Sequence, residues 1–209
     1  MIVWGSFGRG EAVEGEHVRT SETHPIYADF VPEEHTKVPG RLGMTFAPGM
    51  RTPGRHGRWE RDLEADLRVL REEHRADVLV SVLEEHEYGG YGIPELFERD
   101  RVGGIEVLRF AIEDMDVPRE AEAEEYEGLI RNIVERMRGG ENVVVHCRGG
   151  LGRTGTVAAC VLVAIGEHSA DEAIDAVRAA RRGTVQTEGQ EDFVRRFEAT
   201  LREREDENT

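Results

Sequence analysis

A cysteine and an arginine six positions apart stand at the two ends of a glycine-rich loop. The segment reads VHCRGGLGRTG over residues 145–155, with Cys147 near its start and Arg153 near its end. The apolar run before the loop predicts a buried strand, and the apolar run after it predicts a buried helix. A loop that opens a helix presents unpaired backbone N–H groups, which form a binding site for an anion.

The residue types in this loop add a nucleophile and a clamp to the anion site. The helix dipole and the loop amides stabilise the thiolate of Cys147, which makes its sulfur a nucleophile. Arg153 falls in the first turn of the predicted helix, where its guanidinium can bind two oxygens of a phosphate. Thr154 can donate its hydroxyl to the cysteine sulfur. The expected phosphate-binding residues are Arg148, Gly149, Gly150, Leu151, Gly152 and Arg153.

The segment HCRGGLGRTG at 146–155 closely resembles the signature of the protein tyrosine phosphatase superfamily. The chain from about residue 40 to residue 201 further resembles the small dual-specificity phosphatases, in particular the cyclin-dependent-kinase-associated phosphatases. The segments that carry this resemblance are RLGMTFAPG at 41–49, AIEDMDVP at 111–118, HCRGGLGR at 146–153, AACVLVAI at 158–165 and RGTVQTEGQ at 182–190. Residues 1–39 lie outside it.

The resemblance implies an α/β fold, with a central mostly parallel sheet flanked by helices, and a two-step transfer of a phosphoryl group. Cys147 attacks the phosphorus while an aspartate protonates the leaving oxygen. Water then hydrolyses the cysteinyl phosphate, with the same aspartate as the base. The loop amides and Arg153 stabilise the negative charge, so that neither a metal nor a cofactor is expected.

A general acid is expected in the segment FAIEDMDVP at 110–118. In this family the acid lies in a loop after a strand, and Asp114 stands where the pattern places it, four residues before Pro118. Asp116 and Glu113 remain alternatives for this role.

Three further side chains are expected to support the reaction. Gln186 and Gln190 match the Gln-x-x-x-Gln stretch of the family, in which a glutamine positions the hydrolytic water. Gln190 is also the third residue of a capping box that starts at Thr187, and this favours Gln186 for the water. His146 is expected to anchor the loop through hydrogen bonds rather than to tune the nucleophile.

The substrate is predicted only as a class. Inositol-lipid phosphatases of this superfamily carry two basic residues in the loop, whereas here Arg148 is present and Leu151 occupies the second position. We therefore expect a phosphorylated protein or a small phosphomonoester, with phosphotyrosine, phosphoserine or phosphothreonine as the target. An inositol-phosphate or phosphoinositide phosphatase is the alternative, followed by a non-catalytic phosphoprotein-binding module. Arg178, Arg181 and Arg182 can form an outer basic rim, but a solvated helix face is the favoured interpretation.

Composition narrows the partners and the compartment. The 209 residues suffice for one domain, and a net charge of −16 disfavours binding to nucleic acid or to anionic lipid. No apolar stretch approaches the roughly 18 residues of a membrane span, and the N-terminus lacks the basic start of a signal peptide. The two cysteines, Cys147 and Cys160, form neither a disulfide scaffold nor a zinc site, and Cys160 is predicted to lie in the core. A cytoplasmic location is expected, and the oligomeric state is left open.

The elements around the loop alternate between strand and helix, which predicts an α/β fold with a mostly parallel sheet. Strands are predicted within 40–51 and at 77–82, 105–112 and 142–146. Helices are predicted around 63–70 and at 94–101, 119–138, 154–165, 169–181 and 187–202. Residues 1–39 are expected to form an extension with one or two short strands, residues 40–205 the catalytic domain, and residues 206–209 a frayed tail.

Overall fold

The computed structural model describes residues 18–54, 57–166 and 168–207. Its strands are β1 (Val18–Arg19), β2 (Asp29–Phe30), β3 (Leu42–Thr45), β4 (Arg51–Gly54), β5 (Gly57–Glu60), β6 (Val78–Ser81), β7 (Arg101–Val102), β8 (Ile105–Arg109) and β9 (Val143–His146). Its α-helices are α1 (Glu33–Thr36), α2 (Leu63–Glu72), α3 (Glu85–Gly90), α4 (Glu95–Glu98), α5 (Ala123–Arg138), α6 (Gly152–Ile165), α7 (Ala170–Ala180) and α8 (Glu188–Glu207), and a 3-10 turn at Glu120–Glu122 precedes α5.

The main sheet has six strands in the order β2-β3-β9-β6-β8-β7. The four central strands are parallel to one another, and the two edge strands are antiparallel to their neighbours. All four residues of β9 are buried because the strand lies between β3 and β6 with helices on both faces. The predicted mostly parallel sheet is therefore confirmed, and its central strand leads directly into Cys147.

Helix α6 leaves the loop and passes through the centre of the molecule. Each of its residues from Gly152 to Val163 is buried, and it packs against α5, α7 and α8. A helix that is apolar on all sides needs such enclosure. The predicted capping box of Ser169 and Glu172 opens α7. These contacts fix the first turn of α6, which carries Arg153 and Thr154.

A second, three-stranded sheet was not expected from the sequence. Strands β4 and β5 form a hairpin, and β1 pairs with β5 in the order β1-β5-β4. The hairpin sequences, RTPG and GRWE, lack the alternation of apolar residues that predicts strands. Residues of β1, β4 and β5 line the same groove as Phe46, which follows β3, and as Arg148 and Gly149 of the loop after Cys147.

Several predicted boundaries differ from the structure. The predicted turn at Gly89 and Gly90 is the last part of α3, the strand predicted to residue 112 ends at Arg109, and the last helix ends at Glu207 rather than near residue 202. Strand β2 joins the main sheet beside β3, although it precedes the expected domain boundary at residue 40. The predicted extension 1–39 lies outside the described residues up to residue 17, and the division into domains stays a prediction. Within residues 18–207, apart from the undescribed positions 55–56 and 167, no helix is long and apolar enough to cross a membrane.

Candidate active site

The loop between β9 and α6 folds its backbone around the sulfur of Cys147. The side chain is 4% exposed, and the N–H of Gly150 donates to its Sγ at 3.3 Å. Gly150 has a φ of +68°, and a Cβ added there would lie 2.1 Å from the carbonyl oxygen of Thr45. Glycine is required at this position because both the backbone conformation and the lack of space exclude a side chain.

Arg181 holds the outer side of this loop. Its Nε donates to the carbonyl of Gly150 at 2.7 Å, its Nη2 to the carbonyl of Gly149 at 3.1 Å, and its Nη1 to Asp29 at 2.6 Å. Anchoring the carbonyls outward turns the following N–H groups inward, since the C=O and N–H bonds of a planar trans peptide unit point in opposite directions. Arg181 is 7% exposed, so the expectation that it lies on a solvated helix face is wrong.

Arg153 is buried beside the loop and oriented by Glu87. Its Nη1 and Nη2 donate to the two carboxylate oxygens of Glu87 at 2.6 and 3.0 Å, and Nη1 also donates to the carbonyl of Ile112 at 2.9 Å. Burial alone lowers the pKa of Arg153, but Glu87 and the neighbouring Cys147 raise it overall. The guanidinium therefore stays charged inside the protein.

Glu87 is a site residue that the sequence reasoning missed. Burial raises its pKa, yet the hydrogen bond and charge of Arg153 together with its backbone bond to Glu84 lower it overall, so the carboxylate stays ionised. The N–H of Glu84 and the hydroxyl of Tyr91 donate to its two oxygens, both at 2.9 Å. The sequence signal that could have identified Glu87 is its spacing of three residues from Glu84, directly after a buried strand. This spacing indicates that a helix starts there, at the edge of the sheet that carries the active site.

Asp114 faces Arg153 from a loop after β8. Its Oδ1 lies 3.0 Å from Nη2 of Arg153, although its side chain is 58% exposed. Met115 next to it has a φ of +66°, which turns the chain sharply. Asp116 bonds within the loop, where its Oδ1 accepts from the N–H of Val117 at 2.9 Å. Of the three acidic candidates, all of them described, Asp114 alone lines the cleft, and its role as the acid stays a prediction.

The two candidate glutamines have different positions. Gln186 is exposed and lines the cleft, whereas Gln190 is fully buried. The side chain of Gln190 accepts from the N–H of Gln186 at 2.8 Å and donates to the carbonyl of Asp116 at 3.3 Å. The N–H of Gln190 donates to the hydroxyl of Thr187 at 3.1 Å, in the predicted cap. Gln190 thus joins the loop that carries Asp114 and Asp116, which we call the acid loop, to the start of α8. Gln186 faces the cleft.

His146 and Thr154 flank the nucleophile from inside the protein. The Nδ1 of His146 lies 3.2 Å from the carbonyl oxygen of Cys147, as expected for an anchor of the loop. Burial lowers the pKa of His146 to about 4, so the ring is neutral near pH 7. The hydroxyl of Thr154 is buried without a partner among the described residues, and its predicted bond to the sulfur stays a prediction.

The chemically important side chains surround one cleft of about 220 Å³. Its lining residues are Asp114, Met115, Cys147, Arg148, Gly149, Leu151, Gly152, Arg153 and Gln186. Cys160 lies outside it in the core, where burial raises its pKa to about 12. Within the described part of the chain, no group of three or more His, Cys, Asp or Glu side chains could hold a metal ion. The cleft therefore places a thiol, a guanidinium and a carboxylate around a space that can hold a phosphorylated side chain.

Comparison with known families fits this geometry. The family described as "Polymorphic toxin system, DSP-PTPase phosphatase" matches residues 49–167, which is more than half of the chain. The chain belongs to this family. It is a cysteine-dependent phosphatase of the dual-specificity type, as the sequence predicted.

Individual relatives agree with this assignment. The phosphatase is 26% identical over 188 residues to rat "Cyclin-dependent kinase inhibitor 3", covering 89% of this chain and 85% of the relative. It is 30% identical to Tk-PTP in the active form, with a TM-score of 0.59 over 82% of this chain and 96% of the other. It shares its fold with a kinase associated phosphatase whose catalytic cysteine is replaced by serine, with a TM-score of 0.73, 24% identity, and coverage of 85% and 97%. The substrate is thus a phosphorylated protein or another phosphomonoester.

Proposed function

We propose that the phosphatase hydrolyses phosphorylated proteins through a cysteinyl phosphate formed on Cys147. The observation that carries this proposal is that Cys147, Arg153 and Asp114 line one cleft. The 3.0 Å contact between Asp114 and Arg153 supports it, because one guanidinium then orients both the acid and the phosphate. The two free thiols favour a reducing compartment, and we propose the cytoplasm.

In the first step the thiolate of Cys147 attacks phosphorus, so that an S–P bond forms while the P–O bond to the leaving group breaks. Asp114 gives its proton to the leaving oxygen. The N–H groups of the loop and the guanidinium of Arg153 stabilise the charge on the remaining oxygens. Arg181 supports this role from behind, since it keeps the loop carbonyls out of the cleft.

In the second step water attacks phosphorus and the S–P bond breaks. Asp114, now a carboxylate, accepts the proton of the water, and Gln186 at the rim orients that water. The buried hydroxyl of Thr154 has no partner among the described residues, so it is available to donate to the departing sulfur and to stabilise it. Phosphate then leaves, and the thiolate is regenerated.

The loop favours phosphoamino acids over inositol phosphates. Arg148 is exposed at the rim, but Leu151 occupies the place where a second basic residue would bind an additional phosphate. We therefore assign phosphotyrosine, phosphoserine or phosphothreonine side chains as the substrates.

The decisive experiment replaces Cys147 with serine. We expect Cys147→Ser to bind phosphopeptides but to retain less than about 1% of the turnover of nitrophenyl phosphate, because serine lacks the stabilised thiolate. Cys160→Ser is the matched control and should keep its activity. Turnover by Cys147→Ser close to that of the wild type would refute the covalent route.

A further inference from the structure

A groove of about 540 Å³ lies directly beside the catalytic cleft. The two spaces share Arg148 and Gly149 of the phosphate-binding loop. We call the second space the side groove; its walls include Arg19, Tyr27, Phe46, Trp59, Arg148 and Arg181. The unexpected small sheet supplies much of it, through β1, β4 and β5. A substrate bound in the cleft can therefore extend over the rim into this groove.

The charge of the side groove is opposite to that of the protein. Among the residues that the structure describes, three arginines and no aspartate or glutamate line it, whereas the whole chain carries a net charge of −16. Arg181 is already bonded to Asp29 and to the loop, so the groove can offer an anion the guanidinium groups of Arg19 and Arg148. An acidic substrate side chain is the matching group.

The floor of the side groove consists of aromatic rings in a fixed arrangement. Phe46 lies 5.8 Å from both Tyr27 and Trp59, measured between ring centroids. Beneath Phe46, at 4.8 Å, lies the guanidinium of Arg61, which is fully buried and makes two 2.7 Å bonds to Asp66. Tyr27 remains 49% exposed, so a ring surface is open to a ligand without any rearrangement.

From this combination we infer that the side groove selects phosphoproteins that carry an acidic and an aromatic residue close to the phosphorylated residue. The inference rests on the proposed function and specifies its substrate. A small polyphosphate could use the arginines alone, whereas a polypeptide uses both the arginines and the rings. The cleft of about 220 Å³ has space for little beyond the phosphorylated side chain, so the rest of the substrate must lie outside it.

The test compares two phosphotyrosine peptides, one with Glu and Phe within about three residues of the phosphotyrosine and one with Lys and Ser there. We expect kcat/KM for the first to be about tenfold higher, since it gains a charge-assisted bond and an aromatic contact. Arg19→Ala and Tyr27→Ala should each reduce this preference, and nitrophenyl phosphate should be turned over within about twofold of the wild-type rate because it stays in the cleft. Trp59→Ala makes the same test for the aromatic ring that lies deeper in the side groove.

Arg58→Ala is the matched control, because Arg58 lies on β5 next to Trp59 but outside the groove, with its side chain 51% exposed. It should leave the peptide preference intact. Equal kcat/KM for the two peptides, with intact turnover of nitrophenyl phosphate, would overturn the inference and leave the proposed function standing. Inositol polyphosphate turnover that falls in Arg19→Ala but not in Tyr27→Ala, with no peptide preference, would also overturn it, in favour of a small polyphosphate. Lack of any turnover by the wild type would instead refute the proposed function.

Discussion

The guanidinium of Arg153 lies between two carboxylates that have different roles. Glu87 binds both Nη atoms from the buried side, and Asp114 meets Nη2 from the exposed side. Because the planar fork of arginine has several donors, Glu87 can fix its orientation while other N–H groups face the cleft. The single ammonium group of a lysine could not bind Glu87 and the phosphate in the cleft in this way at the same time.

We predict that Arg153→Lys is nearly as damaging as Arg153→Ala. Lysine keeps the charge but loses the fork, so kcat/KM for nitrophenyl phosphate should fall by about 10²–10³-fold in both variants. Steady-state kinetics measures this loss. Arg195→Lys, on the exposed face of α8, is the control and should behave as the wild type. A lysine variant at position 153 with a near-normal rate would mean that charge alone is sufficient.

The assignment of the acid leads to a second prediction. Asp114→Asn should slow alkyl phosphates by about 10²–10⁴-fold, because their leaving oxygen needs a proton. It should slow nitrophenyl phosphate much less, since that phenolate leaves without a proton. Asp116→Asn is the matched control, because Asp116 bonds to its own loop and does not line the cleft. If only Asp116→Asn produced this pattern, the register of the acid loop would be wrong by two residues.

At the scale of elements, the phosphate-binding loop is shaped by the strand beside it. Gly150 approaches the end of β3 so closely that a Cβ would lie 2.1 Å from Thr45, whereas a Cβ on Gly149 would meet nothing within 4 Å. The two neighbouring glycines therefore have different reasons to be present. Gly150 fits the loop against the sheet, and Gly149 lies at the open rim.

This difference predicts opposite outcomes for two alanine variants. Gly150→Ala should destabilise the protein by more than about 2 kcal/mol and abolish most activity, because neither the positive φ nor the backbone contact can be relieved cheaply. Gly149→Ala should remain within about threefold of the wild-type kcat/KM. Denaturant unfolding and kinetics on the same preparations measure both effects. A stable and active Gly150→Ala variant would contradict the tight fit of the loop to β3.

The sequence predicted those elements whose signals are local. The strand, loop and helix around Cys147 follow from apolar runs and glycines. Asp114 was expected from the family pattern, four residues before Pro118, and its role as the acid stays a prediction. Glu87 was missed because its partner Arg153 lies 66 residues away, and only the packing of α3 against the loop brings them together. Arg181 was misjudged for the same reason, since its contacts with Gly150 and Asp29 span 31 and 152 residues.

At the scale of the whole molecule, the buried His146 couples the stability of the fold to pH. Its pKa is about 4 in the folded protein and 6.5 in the unfolded chain. Between these values the unfolded chain binds more protons, so the stabilisation is complete above about pH 6.5 and is lost as the pH falls toward 4. The central sheet and the active site share this dependence, because His146 is the last residue of β9.

We predict that the free energy of unfolding falls by about 2 kcal/mol more between pH 7 and pH 5 in the wild type than in His146→Asn. Asparagine removes the titrating ring while its amide can still bond to the carbonyl of Cys147. Urea unfolding at the two pH values measures the difference. His86→Asn changes an exposed position and should leave the pH dependence of the free energy of unfolding as it is in the wild type. If the free energy of unfolding fell equally between pH 7 and pH 5 in the wild type and in His146→Asn, the ring of His146 would not be the cause of the pH dependence.

The contacts of Arg181 also set the order in which the enzyme can become active during its synthesis. The ribosome makes Asp29 first, Cys147 later and Arg181 last, and the bond between Asp29 and Arg181 spans 152 residues. At about 5–20 residues per second this interval takes roughly 8–30 s. Cys147 is made after the first 118 of these 152 residues, so its loop lacks its outer support while the remaining 34 are made, which takes roughly 2–7 s. Because Arg181 follows Cys147 along the chain, the phosphate-binding loop gains its outer support only after Arg181 has left the ribosomal tunnel.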